Sequence, residues 1–378
     1  MQIILKSASK LSDDIKSLFI DPPVSIDSYL FLGFSAKLIE YFISQPILND
    51  KSVLELCCNH KFLPDAPYHS SEDILYADYD AASTLNLPLN GCSFLTPGQY
   101  NSLANEYENL ESLEDYASYL NTLIAKSINS DLVEASVSFS GGVDCTLIAA
   151  NLLNQGVSKI NLITVCVGEN SFDEVNSKNV VSDLKKHFKD CEIVHKLIKI
   201  DHKEASEVRS TLKTFRAIKQ DVMNLNIATC HFIVAKNLDQ DYIFTGTGAD
   251  ELFGGYHRLK TKMQHGGYEA VQEDLREAIV NLSQNNLFRD FEVYAYFNKK
   301  LVHPLLSNEI IKLSSKLLNE QKCPLFSAYN GIPGDKIVVR LALKQILSIP
   351  TVSTPKKAIQ FSTKIASLDK GAKGTDKL

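Results

Sequence analysis

The run from Glu134 to Ala150, with Ser140-Gly141-Gly142-Val143-Asp144-Cys145 at its centre, leaves this chain few folds to choose from. Val133, Val137 and Phe139 are β-formers in a short stretch, and from Val143 onward Leu147, Ile148, Leu152 and Leu153 fall at the spacing of a helix face. The pattern is a strand, a two-glycine loop and a helix. Glycines let the backbone approach a ligand closely, and the exposed N–H groups at the start of a helix favour negative charge. An anion, most simply a phosphate, is the natural guest. The loop lacks the Gly-x-x-x-x-Gly-Lys-Ser/Thr spacing, so it is not a kinase-like phosphate loop.

A second unit has the same form. Tyr242-Ile243-Phe244-Thr245 reads as a buried strand and runs into Gly246-Thr247-Gly248-Ala249-Asp250-Glu251-Leu252-Phe253-Gly254-Gly255-Tyr256. Two strand-loop-helix units, each with glycines and an aspartate after the strand, suit a doubly wound α/β sheet that binds nucleotide at its carboxyl end. The intervening chain alternates accordingly. An amphipathic helix is predicted over 110–130, with Leu113, Tyr116, Tyr119, Leu120, Leu123 and Ile124 on one face. Strands are predicted over 160–168 and 191–200, with helices over 173–188 and 203–218; residues 226–238 then lead to the strand at Tyr242, and Gly156 ends the helix after the first loop. The alternation predicts right-handed crossovers and a mostly parallel sheet. From Tyr256 to about Leu318 the pattern reads as helical, broken at Gly266-Gly267 and Pro304.

Composition removes several classes. A net charge of -6 argues against a dominant nucleic-acid surface. The eight cysteines show no paired zinc spacing, which suits reduced thiols. No basic-then-apolar leader and no apolar run near membrane-spanning length is present, so a soluble cytoplasmic protein is expected. The first 109 residues are the least regular, with strands expected over 1–6 and 28–34 and prolines at 22–23, 64 and 67 between them.

The first loop resembles the Ser-Gly-Gly-x-Asp-Ser pyrophosphate loop of the ATP pyrophosphatases, with Cys145 in the last place. The second resembles Gly-x-Gly-(Ser/Ala)-Asp-Glu-x-x-Gly-Gly-Tyr, the second signature of the synthetase domain of the asparagine synthetase family. Three weaker matches come after it in order: Asn286-Leu287-Phe288-Arg289-Asp290, then Lys336-x-x-x-Arg340-x-Ala342, then Lys356-Lys357-Ala358-Ile359-Gln360-Phe361-Ser362. The resemblance runs from about Leu110 to Ala366 and is nearest to the asparagine synthetase domain-containing proteins.

It implies an ATP-pyrophosphatase (adenine nucleotide alpha hydrolase-like) fold over 110–378. The smaller region 1–109 is either a reduced amidohydrolase layer or unrelated to one. It also implies an ATP-dependent amide-forming ligase that adenylates a carboxylate, aspartate by default, and releases AMP and pyrophosphate with Mg²⁺. Ser140, Gly141, Gly142 and Cys145 would cradle the phosphates, with Gly246 and Gly248 behind them. Asp144 and Asp250 would share the metal, and the backbone at Val165 and Val167 would read the adenine. Lys336 would steady the phosphates, and Lys356 or Lys357 the acyl-adenylate. Arg258 and Arg289 are weaker candidates that suit structural ion pairs.

Departures fall on the acceptor side. Thr247 stands where the family commonly has a glutamate, and a hydroxyl is a poor base at neutral pH. Residues 298–307 keep only Pro304 and Leu306 of the family's Gly-x-Glu-Ala-Arg-x-Pro-Phe-Leu-Asp block. Gln2 stands where glutamine-dependent relatives have their nucleophilic cysteine, so no glutaminase activity is expected. Nitrogen would then come from free ammonia, a separate glutaminase or an amine on the substrate, and a homodimer is left open. Two other readings stay open at this point. One is a non-enzymatic nucleotide-binding or scaffold descendant; the other is a tRNA-modifying pyrophosphatase, disfavoured by the acidic charge and the lack of a basic, aromatic-bearing tract.

Overall fold

The computed structural model describes residues 110–368 except 129–131, 216, 283–285, 320–326, 348–349 and 356, together with four short strands before them. Those strands, β1 (Gln2–Leu5), β2 (Val24–Ile26), β3 (Tyr29–Gly33) and β4 (Leu56–Cys57), pair antiparallel in the order β2-β3-β1-β4. β1 and β3 fall on the two strands expected there. The question of a reduced or unrelated amidohydrolase layer lies largely outside the described residues.

The main sheet has five parallel strands: β5 (Glu134–Ser138), β6 (Lys159–Val167), β7 (Glu192–Ile200), β8 (Tyr242–Phe244) and β9 (Lys300–Val302). Their order is β7-β6-β5-β8-β9. The chain builds outward from β5 to β7, then crosses back to add β8 and β9 on the other side of β5. The direction of winding therefore reverses between β5 and β8, the place where open α/β sheets bind ligands beyond the carboxyl ends of their strands.

Both faces are covered, as a parallel sheet requires. Along β6 successive residues alternate between two cores. Ile160 and Leu162 join α1 (Leu113–Lys126), α2 (Val143–Asn154) and α3 (Phe172–His187), whereas Ile163, Val165 and Val167 join α4 (His202–Leu212) and α5 (Val222–Lys236). α1 starts where Ser112 and Asp115 form a reciprocal capping box, and its face of Leu113, Tyr116, Leu120, Leu123 and Ile124 is buried. After β8 come α6 (Ala249–Phe253), α7 (Arg258–Val280), α8 (Phe288–Tyr296), α9 (Asn308–Asn319), α10 (Ile337–Ile346) and α11 (Ile359–Ser362). None of the described helices is long and apolar enough to cross a membrane.

Two details depart from the sequence pattern. β9 lies in a stretch that reads as helical, because three residues are too few for either period to register. Its place is fixed instead by its register with β8, Tyr242 opposite Lys300 and Phe244 opposite Val302. The helix expected over 203–218 stops at Leu212. The anticipated breaks are real: Gly267 kinks α7 with φ 67° and ψ -161°, and Pro304 opens a 3-10 turn.

The tips of β5 and β8 touch through Gly246. A Cβ there would lie 2.7 Å from Asp144 Cβ and 2.9 Å from both Asp144 C and Cys145 N, so only hydrogen fits between the two loops. Gly246→Ala should destabilise by about 1–3 kcal/mol, the usual cost of overpacking. A urea unfolding midpoint equal to the parent's, at the same slope, would show that the loops are not in contact.

Candidate active site

The first loop is held by its own thiol. Ser140 N–H donates to Cys145 Sγ at 3.3 Å, Cys145 Sγ donates to Gly142 O at 3.3 Å, and Gly142 N–H donates to Ser140 Oγ at 3.2 Å. Cys145 is buried, which pushes its thiol above the ordinary range. Its side chain is thereby engaged by the loop backbone. Gly141 has φ +74°, and a Cβ there would stand 2.8 Å from the backbone N and Cα of Ser177 in α3. Gly142 opens α2 without any side-chain cap, so the amino end of this helix keeps its N–H groups and dipole for a ligand.

The second loop leaves β8 beside the first. Thr245 N–H donates to Val302 O at 2.9 Å, which carries the strand pairing one residue further, and Gly248, at φ +99°, turns the chain into α6. Glu251 of α6 is buried and accepts from the Tyr256 hydroxyl and from Asn286 Nδ2 at 3.0 Å. Burial and the Glu251 charge push the Tyr256 phenol well above its usual range, so it remains a donor. The glutamate and tyrosine of the second signature, and the asparagine of the next motif, thus form one structural latch.

Between the loops lies Lys336. Its Nζ is 2.5 Å from Asp144 Oδ2 and 2.8 Å from Asp250 Oδ1, and its side chain is 1% exposed. The backbone of Lys336 is left-handed, with φ 52° and ψ 40°, an uncommon state for a non-glycine residue. Arg340, one turn into α10 and fully buried, holds that turn in place. It donates to Asp335 O at 2.7 Å, Asp335 Oδ2 at 2.6 Å, Val352 O at 2.6 Å and Thr354 O at 3.0 Å. One guanidinium therefore fixes both the lysine and the start of the tail segment.

The tail returns to the tip of β6. Thr363 O accepts from Val167 N–H at 2.9 Å, and Ser362 Oγ donates to the buried Asp173 Oδ2 at 2.8 Å. Lys357 is exposed, with Nζ 4.7 Å above the Phe172 ring at the start of α3. Lys356 lies outside the described residues.

The crevice between β5 and β8 thus brings together Ser140, Gly141, Gly142, Asp144, Gly246, Gly248, Asp250 and Lys336, with Thr247 on the same loop. The side chains of Val165 and Val167 point into the core, and the Val167 amide hydrogen is committed to Thr363. Arg258 pairs with Asp274 at 2.9 Å and stacks on Tyr256, and Arg289 pairs with Asp290 at 2.7 Å, so both act structurally. Arg340 escaped the sequence reading as a functional residue, although a lone cation inside Ile337-Val338-Val339-Arg340-Leu341-Ala342-Leu343 signals a buried partner.

Among the described residues no group of three or more His, Cys, Asp or Glu side chains could hold a metal alone. Mg²⁺ bound with a nucleotide needs only one or two carboxylates, the rest of its shell coming from phosphates and water. Asp144 and Asp250 fit that role, for they converge on one point and Asp144 Oδ1 is buried without a hydrogen-bond partner.

Lys336→Met would leave two carboxylates facing each other without their cation. Removing one partner of a buried ion pair costs about 3–5 kcal/mol. Adding Asp144→Asn should recover part of the loss, since it removes one uncompensated charge. Equal denaturation midpoints for Lys336→Met and the parent would show that the pair contributes nothing.

The asparagine synthase family model matches residues 119–331. An asparagine synthetase domain-containing protein of Saccharomyces cerevisiae is 29% identical over 281 residues, which cover 64% of this chain and 50% of that protein. One of Drosophila melanogaster is 30% identical over 253 residues, covering 61% and 44%. Asparagine synthetase domain-containing protein 1 of Homo sapiens is 31% identical over 136 residues, covering 36% and 21%. The chain spans half or less of the length of these relatives. Its two signature loops meet at the reversal of the sheet, the family match takes in more than half of its residues, and the chain belongs to the asparagine synthase family.

Proposed function

We propose that the chain uses ATP to activate a carboxylate as an acyl-adenylate and then forms an amide. One observation carries this: at the reversal of the sheet, an uncapped helix start behind a two-glycine loop carries Asp144, which shares one cation with Asp250 at the start of α6. The amides of the first loop and of the start of α2 would hold the β and γ phosphates. A carboxylate oxygen of the substrate attacks the α phosphorus, the bond from that phosphorus to the bridging oxygen breaks, and pyrophosphate leaves with the electron pair. Ammonia or an amine then adds to the acyl carbon, AMP leaves, and the amine's proton passes to water.

Asp144 and Asp250 would hold Mg²⁺, which supplies neutralising charge to the departing pyrophosphate. The Lys336 ammonium, seated on both carboxylates, is within reach of phosphate oxygens entering between the loops. Lys357 lies beside the tip of β6, where it would serve the adenylate. Aspartate is the default acceptor, with free ammonia or a separate glutaminase as nitrogen source.

A second reading, nucleotide binding without turnover, is favoured by Thr247 in the place of a glutamate and by an ammonium already seated where the two carboxylates converge. Pyrophosphate release measured over a panel of carboxylates, with ATP, Mg²⁺ and ammonia, separates the two. Release that depends on one carboxylate, and falls at least about 100-fold in Asp144→Asn with circular dichroism unchanged, is expected from the loss of transition-state charge stabilisation. ATP binding by calorimetry with no release for any carboxylate would establish the second reading instead.

A further inference from the structure

Behind the second loop three polar side chains stand in a row, and the middle one also holds the loop, for Thr247 N–H donates to Thr245 Oγ1 at 3.3 Å. Thr245 comes directly after β8, His303 directly after β9, and both are 4% exposed; Thr247 is partly exposed on the loop whose Gly246 abuts Asp144. Thr245 Oγ1 donates to Thr247 Oγ1 at 2.9 Å and lies 2.6 Å from His303 Nδ1. A hydroxyl has one hydrogen. With the Thr245 hydrogen directed at Thr247, the hydrogen in the shorter contact comes from the imidazole, and His303 is then the Nδ1–H tautomer.

The ring is neutral. Burial pushes His303 down to about 4, with His231 adding to the fall and Asp290 opposing it. At the other end Thr247 accepts from Thr245, so its own hydrogen is left over, and among the described residues no acceptor takes it. In that arrangement the row donates in one direction, from the imidazole through Thr245 to Thr247.

We propose that His303, Thr245 and Thr247 form a hydrogen-bond donor chain whose last hydrogen is offered to the acyl carbonyl oxygen of the adenylate as the amine adds. The inference rests on the ligase reading and gives Thr247 a role opposite to that of a base. When the amine's lone pair forms the new C–N bond, the carbonyl π pair moves onto oxygen, then returns as the bond to AMP breaks. A donor aimed at that oxygen stabilises the charge it carries meanwhile, and a polarised row of donors strengthens the last member. His303 and Thr245 are positioning residues, and Thr247 is the one that touches substrate. Adenylation develops its charge at phosphorus, so the chain serves the second half-reaction alone.

The test compares carboxylate-dependent ATP–pyrophosphate exchange with amide formation in Thr247→Val, Thr247→Ser, His303→Leu and His303→Asn, alongside the ¹⁵N spectrum of His303 in the intact chain. Thr247→Val and His303→Leu should slow amide formation about 10–100-fold while exchange changes less than about 2-fold. Thr247→Ser keeps the hydroxyl, and the Asn side-chain nitrogen reaches close to the place of imidazole Nδ1, so both should retain activity within about 3-fold. The spectrum should show a neutral Nδ1–H ring. An Nε2–H tautomer, or full amide formation by Thr247→Val in a chain that catalyses exchange, would overturn this inference alone. A parent chain that exchanges pyrophosphate with no carboxylate would overturn it together with the ligase reading.

Discussion

A single ammonium group ties together parts of the chain that are far apart in sequence. Burying a lysine costs several kcal/mol unless its charge is matched, and Lys336 is matched twice, by Asp144 from the loop after β5 and by Asp250 from the start of α6. Those two aspartates can face one cation only because β5 and β8 are neighbours, a pairing made when the chain reverses its winding and adds β8 to the inner edge. The approach is completed by Gly246, whose missing side chain lets one loop lie against the other. Topology, close packing and charge thus meet at one point.

The same ammonium governs how the tail of the chain is placed. Lys336 takes a left-handed backbone that a non-glycine residue adopts at a cost, and the turn is sustained by four hydrogen bonds from Arg340. Two of them go to Val352 and Thr354, the start of the segment that carries Lys357 and then docks Thr363 on Val167. The tail is therefore not an appendage to the nucleotide end of the sheet. It is anchored by Arg340, which also holds the turn carrying Lys336, and then again at the tip of the strand next to β5.

Sequence made legible whatever depends on backbone and period. The two glycine loops, the alternation along β6, the capped α1 and the kink at Gly267 each leave a local trace, because turn chemistry and burial period are set by neighbours in sequence. The resemblance added Asp144, Asp250 and Lys336 as members of one site. It did not say that the lysine would sit on both carboxylates, since that contact depends on residues almost two hundred positions apart. β9 was lost for a related reason: its three residues are a strand only because β8 is beside them. Arg340 and His303 were legible only as lone polar residues in apolar runs, a pattern that announces a buried partner without naming it.

This division also explains why the two halves of the crevice differ in how closely they keep to the family pattern. A phosphate held by N–H groups at a helix start needs glycines at fixed places and little else, so the first loop keeps its pattern while Cys145 in place of serine still closes the turn through its sulfur. A site built from side chains has no such backbone pattern to keep. With Thr247 on the loop, the chain places Thr245 beneath it and His303 beneath that, in the stretch where the Glu-Ala-Arg block is absent. Below them the Arg289–Asp290 pair, with Asn224 and His231 around it, forms a further buried polar cluster that keeps His303 within the field of one carboxylate and one imidazole. A glutamate inserted alone at position 247 would meet a hydroxyl whose hydrogen it could accept, yet would end a row of donors on an acceptor. Thr247 is therefore one end of a polar row with Thr245 and His303, and its part in the site is read from the three together.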